Sequence, residues 1–194
     1  MDSQFAICGN DWVIVVADTS INRSIFNLKS NEDKIVQINQ FKVMGATGEH
    51  ADTSVFSNLM CRNLALEELR TGHEPGVEAT ANFLRSQIDQ SFRDRSPFMV
   101  NVLMGGYDVH EGEAKLYWLD YIGTLQQVTK GAHGYAGYFV NSVLDNNYKQ
   151  GMSLDEGIET CKKCILELKT RFIINQPNFI AKIVTKDGIQ VMPL

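Results

Sequence analysis

The chain has 194 residues, 44% of them hydrophobic, enough to bury the core of one ordinary globular domain spanning 1–194. Its formal net charge of −5, with no long Lys/Arg run, is the opposite of the basic face that neutralises phosphates, so no nucleic-acid partner is expected. Apolar runs such as Trp12 to Ala17 fall far short of the roughly 20 residues that span a bilayer. No basic segment followed by an apolar stretch marks a secretion signal, so neither a membrane nor a secretory route is expected.

Residues 4–8 and 12–18 read as strands around a Gly9-Asn10-Asp11 turn, a short-range hairpin signal. Shorter β segments are expected near 24–28, 35–38 and 43–46. A helix over 52–70 would place Phe56, Leu59, Met60 and Leu64 on one side and stop at Thr71-Gly72, where glycine can turn left-handed. Pro75 sits near the start of the next helix, where its missing N–H costs little. There Val77, Ala81, Leu84, Ile88 and Phe92 step by 4, 3, 4 and 4, one buried stripe.

The period then changes. Residues 98–107, 116–121 and 125–130 are rich in β-branched, aromatic and aliphatic side chains and read as strands. Helical spacing returns over 134–147 and 153–171, the latter opening with Ser153-x-x-Glu156, a capping box. Residues 179–185 and 189–192 close the order as a hairpin around Lys186-Asp187-Gly188. This succession is α+β: it can stack two antiparallel sheets face to face, each covered by a helix pair, in a four-layer αββα sandwich. No repeat, low-complexity stretch or linker divides it.

Four cysteines are too few for a disulfide scaffold. Cys161 and Cys164 form one CxxC, but a structural zinc would need a second ligand pair, and His50, His73, His110 and His133 are scattered. No metal or cofactor is expected. Cys161 falls on the stripe Leu154, Ile158, Cys161, Ile165, Leu168 and Phe172, which makes it a core thiol rather than a redox or metal group. Free thiols suit a reducing cytosol or nucleus.

Several segments in fixed order carry a family resemblance. They are Val15-Val16-Ala17-Asp18, Lys34, Gly45-Ala46-Thr47-Gly48, Asn101-Val102-Leu103-Met104-Gly105-Gly106-Tyr107-Asp108, Leu116-Tyr117-Trp118-Leu119-Asp120-Tyr121-Ile122-Gly123-Thr124 and Lys186-Asp187-Gly188-Ile189. Together they resemble proteasome beta-type subunits, members of the N-terminal-nucleophile hydrolases, across essentially the whole chain. Gly131-Ala132-His133-Gly134-Tyr135, a start without a propeptide and a short C-terminal end are similar to the eukaryotic beta-4 branch, also called beta type-2. The resemblance implies the N-terminal-nucleophile hydrolase fold and a role in ATP/ubiquitin-dependent protein degradation. It also implies a place in a seven-membered beta ring of the 20S core particle, stacked on a second beta ring and capped by alpha-ring subunits, in cytoplasm and nucleus.

Active members of that family expose a threonine by cutting away a propeptide, and use the new amine as base, because a hydroxyl alone is a poor nucleophile at neutral pH. Counting back from Ala17-Asp18, the nucleophile's place falls on Asp2, with Ser3 beside it. The resemblance assigns Asp18 to the family's aspartate and Lys34 to the lysine that tunes the amine. Gly48 takes the place of the glycine whose N–H stabilises the oxyanion, a donor worth about 3 kcal/mol where something attacks. The serines of the active subunits' Gly-Ser-Gly-Ser turn are missing from Gly131-Ala132-His133-Gly134, and their later aspartate and serine are replaced by Phe172 and Asn175. The expectation is a non-catalytic structural subunit in which Asp18, Lys34 and Gly48 are vestigial.

Each retained residue also has a plain structural role. Asp18 and Lys34 can pair to hold adjoining strands, and such buried pairs add little net stability. Gly45-x-x-Gly48 lacks the Gly-Lys-Ser/Thr ending of a phosphate loop. Gly105-Gly106 is expected to end or bend a strand, and His133 to cap a helix or face a partner. Phe26, Phe98, Tyr135 and Tyr138 are candidates for exposed apolar ring contacts. The alternative activity is an N-terminal-nucleophile peptidase using Ser3 after removal of Met1 and Asp2. That one-residue shift turns the side chain to the opposite strand face, away from Lys34. A third reading is a soluble binding domain unrelated to proteasomes.

Overall fold

The computed structural model describes residues 2–23 and 26–194. In chain order the elements are β1 (Ser3–Cys8), β2 (Trp12–Asp18), β3 (Ile21–Arg23), β4 (Phe26–Lys29), β5 (Ile35–Asn39), β6 (Lys42–Gly48), α1 (His50–Thr71) and α2 (Val77–Arg93). They continue as β7 (Val100–Asp108), β8 (Glu113–Leu119), β9 (Leu125–Val128), β10 (Lys130–Gly134), α3 (Ala136–Asn147), α4 (Leu154–Arg171), β11 (Phe179–Thr185) and β12 (Gly188–Pro193). Met1, and the part of the expected 24–28 strand on Ser24 and Ile25, lie outside the described residues.

One antiparallel sheet has the order β10-β1-β2-β11-β12 and the other β5-β6-β7-β8-β9, while β3 and β4 form a separate hairpin. The apolar run of β2 is buried along its whole length because both of its faces are covered. Side chains alternate along a strand. Trp12, Ile14 and Val16 therefore join Val140, Leu144, Cys161 and Leu168 under α3 and α4. Val13, Val15 and Ala17 meet Val43, Leu103 and Leu116 of the other sheet. A third core, including Met44, Met104, Phe56, Leu84 and Ile88, lies between the second sheet and α1 and α2. This is the expected four-layer αββα sandwich.

The helix signals hold in detail. Gly72 ends α1 at φ 69°, its N–H donating to Glu68 O, and Ser153 and Glu156 form the capping box of α4. Cys161 and Cys164 are both buried, and burial pushes the Cys161 thiol well up and the Cys164 thiol to about 12. Leu59 and Phe92, expected on the buried stripes, are instead exposed.

Four further expectations are corrected. The stretch expected to begin a helix at residue 134 is preceded by β10, and the helix starts at Ala136. After β9 the chain leaves one sheet and at Lys130 joins the edge of the other, where β10 pairs with β1. His133 thus lies in an edge strand, buried against Trp118, and caps nothing. Gly105 and Gly106 sit inside β7 rather than at a bend: a Cβ on Gly105 would lie 2.9 Å from Val13 Cγ2, so glycine there lets the sheets approach. Phe98 is partly buried, its ring 5.4 Å from Phe56, whereas Phe26 (68%), Tyr135 (43%) and Tyr138 (84%) are exposed as expected.

Candidate functional site

The start of β1, the end of β2, the loop before β5 and the end of β6 converge at one edge of the sheet sandwich. β1 and β2 pair with Gln4 opposite Ala17, which sets Asp2 and Ser3 beside Asp18. Lys34 enters from the loop ahead of β5, its carbonyl accepting from Ala46 N–H at 3.2 Å. The loop is braced from behind. Lys182, a buried lysine of β11, donates to Ile35 O and pairs with Asp33 at 2.6 Å. That brace has no signature in the sequence, because it joins residues 147 positions apart.

The Lys34 ammonium is saturated by protein acceptors. It donates to Asp18 Oδ1 at 3.0 Å and Oδ2 at 2.9 Å, to Asp2 Oδ1 at 2.7 Å and to the Ser20 carbonyl at 2.7 Å. Asp18 is fully buried and also accepts the Ser3 N–H at 2.8 Å and the Ser20 N–H at 3.0 Å. Burial pushes its carboxyl above the ordinary carboxylate range, and the Lys34 charge and the Ser3 N–H offset that only in part. The charge balance of the cluster is two carboxylates against one ammonium.

Gly48 completes the arrangement. It has φ 147°, and a Cβ there would stand 2.0 Å from Met99 O, so the backbone passes where only glycine fits. Its N–H points to Asp2 Oδ2 at 3.4 Å. Asp18, Lys34, Gly48 and Asp2, which the sequence separates by up to 46 positions, are thus brought together. Ser3 enters the cluster through its backbone N–H alone, and its side chain lies outside. It shares strand parity with Phe5 and Ile7, which pack under the helices, and its Oγ is buried with no hydrogen-bond partner.

The Gly131–Gly134 segment clamps the other side of Asp2. The Asp2 carbonyl accepts the Tyr135 N–H at 3.0 Å, and a Cβ on Gly134 would lie 2.2 Å from it. Tyr135 in turn stacks on Phe172, ring centroids 5.3 Å apart. The positions expected for the missing serines and for Phe172 therefore lie around the start of β1, with backbone and aromatic contacts in place of hydroxyls.

From this cluster an open cleft of 510 Å³ runs between β3, the 32–34 loop and the first turns of α1. Its walls include Ile21, Val36, Ala46, Thr53, Ser57 and Cys61, with Glu32, Asp33 and Glu49 at the rim. Among the described residues no group of three or more His, Cys, Asp or Glu could hold a metal ion. No helix among them is long and apolar enough to cross a membrane.

Comparison with known proteins adds a family assignment to this geometry. A sequence model of the family described as "Proteasome subunit" matches residues 2–184. Over 188 residues the chain is 44% identical to "Proteasome subunit beta type-2-A" of Arabidopsis thaliana, covering 97% of this chain and 91% of that protein. It is 39% identical over 193 residues to "Probable proteasome subunit beta type-4" of Meyerozyma guilliermondii, covering 99% and 100%. It is 37% identical over 190 residues to "Proteasome subunit beta type-4" of Saccharomyces cerevisiae, covering 98% and 96%.

Proposed function

Since the chain belongs to the proteasome beta-subunit family, we propose that it is a non-catalytic structural subunit of the 20S core particle. In this reading it occupies one place in a seven-membered beta ring, contacts the opposing beta ring and the alpha ring, and walls the degradation chamber in cytoplasm and nucleus. One observation carries the non-catalytic part. At the place the family gives to a nucleophilic hydroxyl, this chain presents the Asp2 carboxylate, already bonded to Lys34. A carboxylate there leaves Lys34 no hydroxyl to activate. The alternative based on Ser3 has little support, because that hydroxyl is buried on the strand face opposite Asp2.

The aromatic surface of Tyr135 and Tyr138, with Phe26 elsewhere, supplies apolar area of the kind permanent assemblies bury, commonly about 2,000–5,000 Å². The activity test is treatment of core particles containing this chain with a threonine-directed epoxyketone, followed by intact-mass analysis of each subunit. Active siblings gain the adduct mass and this chain does not; an adduct on its terminal residue would refute the proposal. The assembly test is co-expression with sibling subunits and native mass spectrometry. A chain that stays monomeric and never enters particles would remove the structural role.

A further inference from the structure

We propose that the Asp2 carboxylate is an internal ligand, filling a carboxylate-sized anion seat framed by the Lys34 ammonium and the Gly48 N–H. The seat's chemical class is a small monoanion, and the chain supplies that anion itself. This deepens the non-catalytic reading and rests on it.

The two carboxylates of the cluster have different parts. Asp18 is fixed within the fold, holding N–H groups of Ser3 and Ser20 as well as Lys34. Asp2 is the outer member: its side chain is 20% exposed and lines the cleft, and its two oxygens divide between the two donors of the seat. A charged donor and a backbone N–H on one carboxylate form the charge-assisted pairing that binds anions.

The position of Asp2 is set before its side chain is considered. Pairing of β1 with both β2 and β10 fixes the strand, and the Tyr135 N–H and the close approach of Gly134 hold the Asp2 carbonyl. A ligand tethered this way competes at high effective concentration and gives up little conformational freedom on binding. A peptide entering the cleft can pack along its walls, but its carbonyl oxygen finds the Gly48 N–H already directed at Asp2. The closed seat therefore withholds both donors from any outside anion or carbonyl.

The test removes the internal anion and offers an external one. The full chain carrying Asp2→Ala is titrated with sodium formate at constant ionic strength while its thermal unfolding is followed. The unmodified chain and Asp2→Asn, which keeps the shape of the side chain and leaves no void, serve as controls. The expected result is a Tm that rises by several degrees and saturates with formate in Asp2→Ala, and stays flat in both controls. No formate response in Asp2→Ala, or an equal response in the unmodified chain, overturns the proposal. If Asp2→Ala does not fold, its refolding yield is measured with formate and with chloride: recovery by formate alone supports the seat, and no recovery overturns it. Epoxyketone labelling of the unmodified chain, run in parallel, separates the two ideas. An adduct there defeats the non-catalytic reading, whereas the formate titration decides the seat.

Discussion

His133 lies stacked on Trp118, ring centroids 4.6 Å apart and planes 22° apart, with its Nε2 3.1 Å from Val102 O. Burial lowers its pKa from 6.5 to about 4, so the folded chain holds it neutral. As pH falls below about 6.5 the unfolded chain takes up a proton that the folded chain refuses until about 4. Stability should therefore drop across that window, by about 3 kcal/mol, and level off below it. Asp18, whose carboxyl is raised, works the other way as it protonates. Comparing urea unfolding of the parent and His133→Phe from pH 7 to 4 cancels that contribution. An equal loss in both chains would exclude His133 as the source.

Lys34→Met leaves a fully buried Asp18 and a neighbouring Asp2 without their counter-charge. Removing one partner of such a buried group costs about 3–5 kcal/mol. Adding Asp18→Asn should recover part of that loss, because the uncompensated buried charge disappears. Chemical denaturation of Lys34→Met, Asp18→Asn, the double variant and the parent measures both effects; a double variant as unstable as the sum of its singles would contradict the coupling.

Two glycines with positive φ should respond differently to alanine. Gly72, at φ 69° with nothing within 4 Å of an added Cβ, meets only the left-handed backbone cost, about 1 kcal/mol. Gly48→Ala also collides with Met99 O and should cost at least about 2 kcal/mol. Thermal unfolding of both variants tests the order, and equal losses would show that the 48–99 contact relaxes cheaply.

Ser153→Ala removes the side chain that accepts the Glu156 N–H at the start of α4. The expected loss is about 1 kcal/mol. Urea titration provides the measurement, with Thr170→Ala, an exposed residue of the same helix, as the mild comparison.

Much of this architecture was legible because its signals are local. α1 ends where Gly72 allows, α4 begins at a capping box, and β2 reads as a continuous apolar run. β10 was not legible as a strand. Lys130-Gly131-Ala132-His133-Gly134 is short and rich in small residues, and those residues are there for packing: a Cβ on Gly131 would meet Trp118 at 3.2 Å. The switch between sheets at residues 128–130 has no glycine or proline to announce it. In the candidate site, the alignment of Asp18, Lys34, Gly48 and Asp2 followed from family resemblance. The Ser20 carbonyl, the Ser3 N–H and the Lys182–Asp33 brace did not, since backbone acceptors and long-range ion pairs leave no pattern in a linear sequence.

The strand order β10-β1-β2-β11-β12 also constrains when the site can form during synthesis. Until residues 130–134 and 179–185 have emerged, β1 and β2 have only each other in their sheet, and an isolated two-stranded ribbon is marginal in water. Asp2 is translated well before the lateral neighbours that complete its sheet. Ribosome-bound chains truncated near residue 120 should exchange the amide hydrogens of 3–8 freely, and chains extended through 194 should protect them. Early protection would mean that the nascent hairpin finds another support.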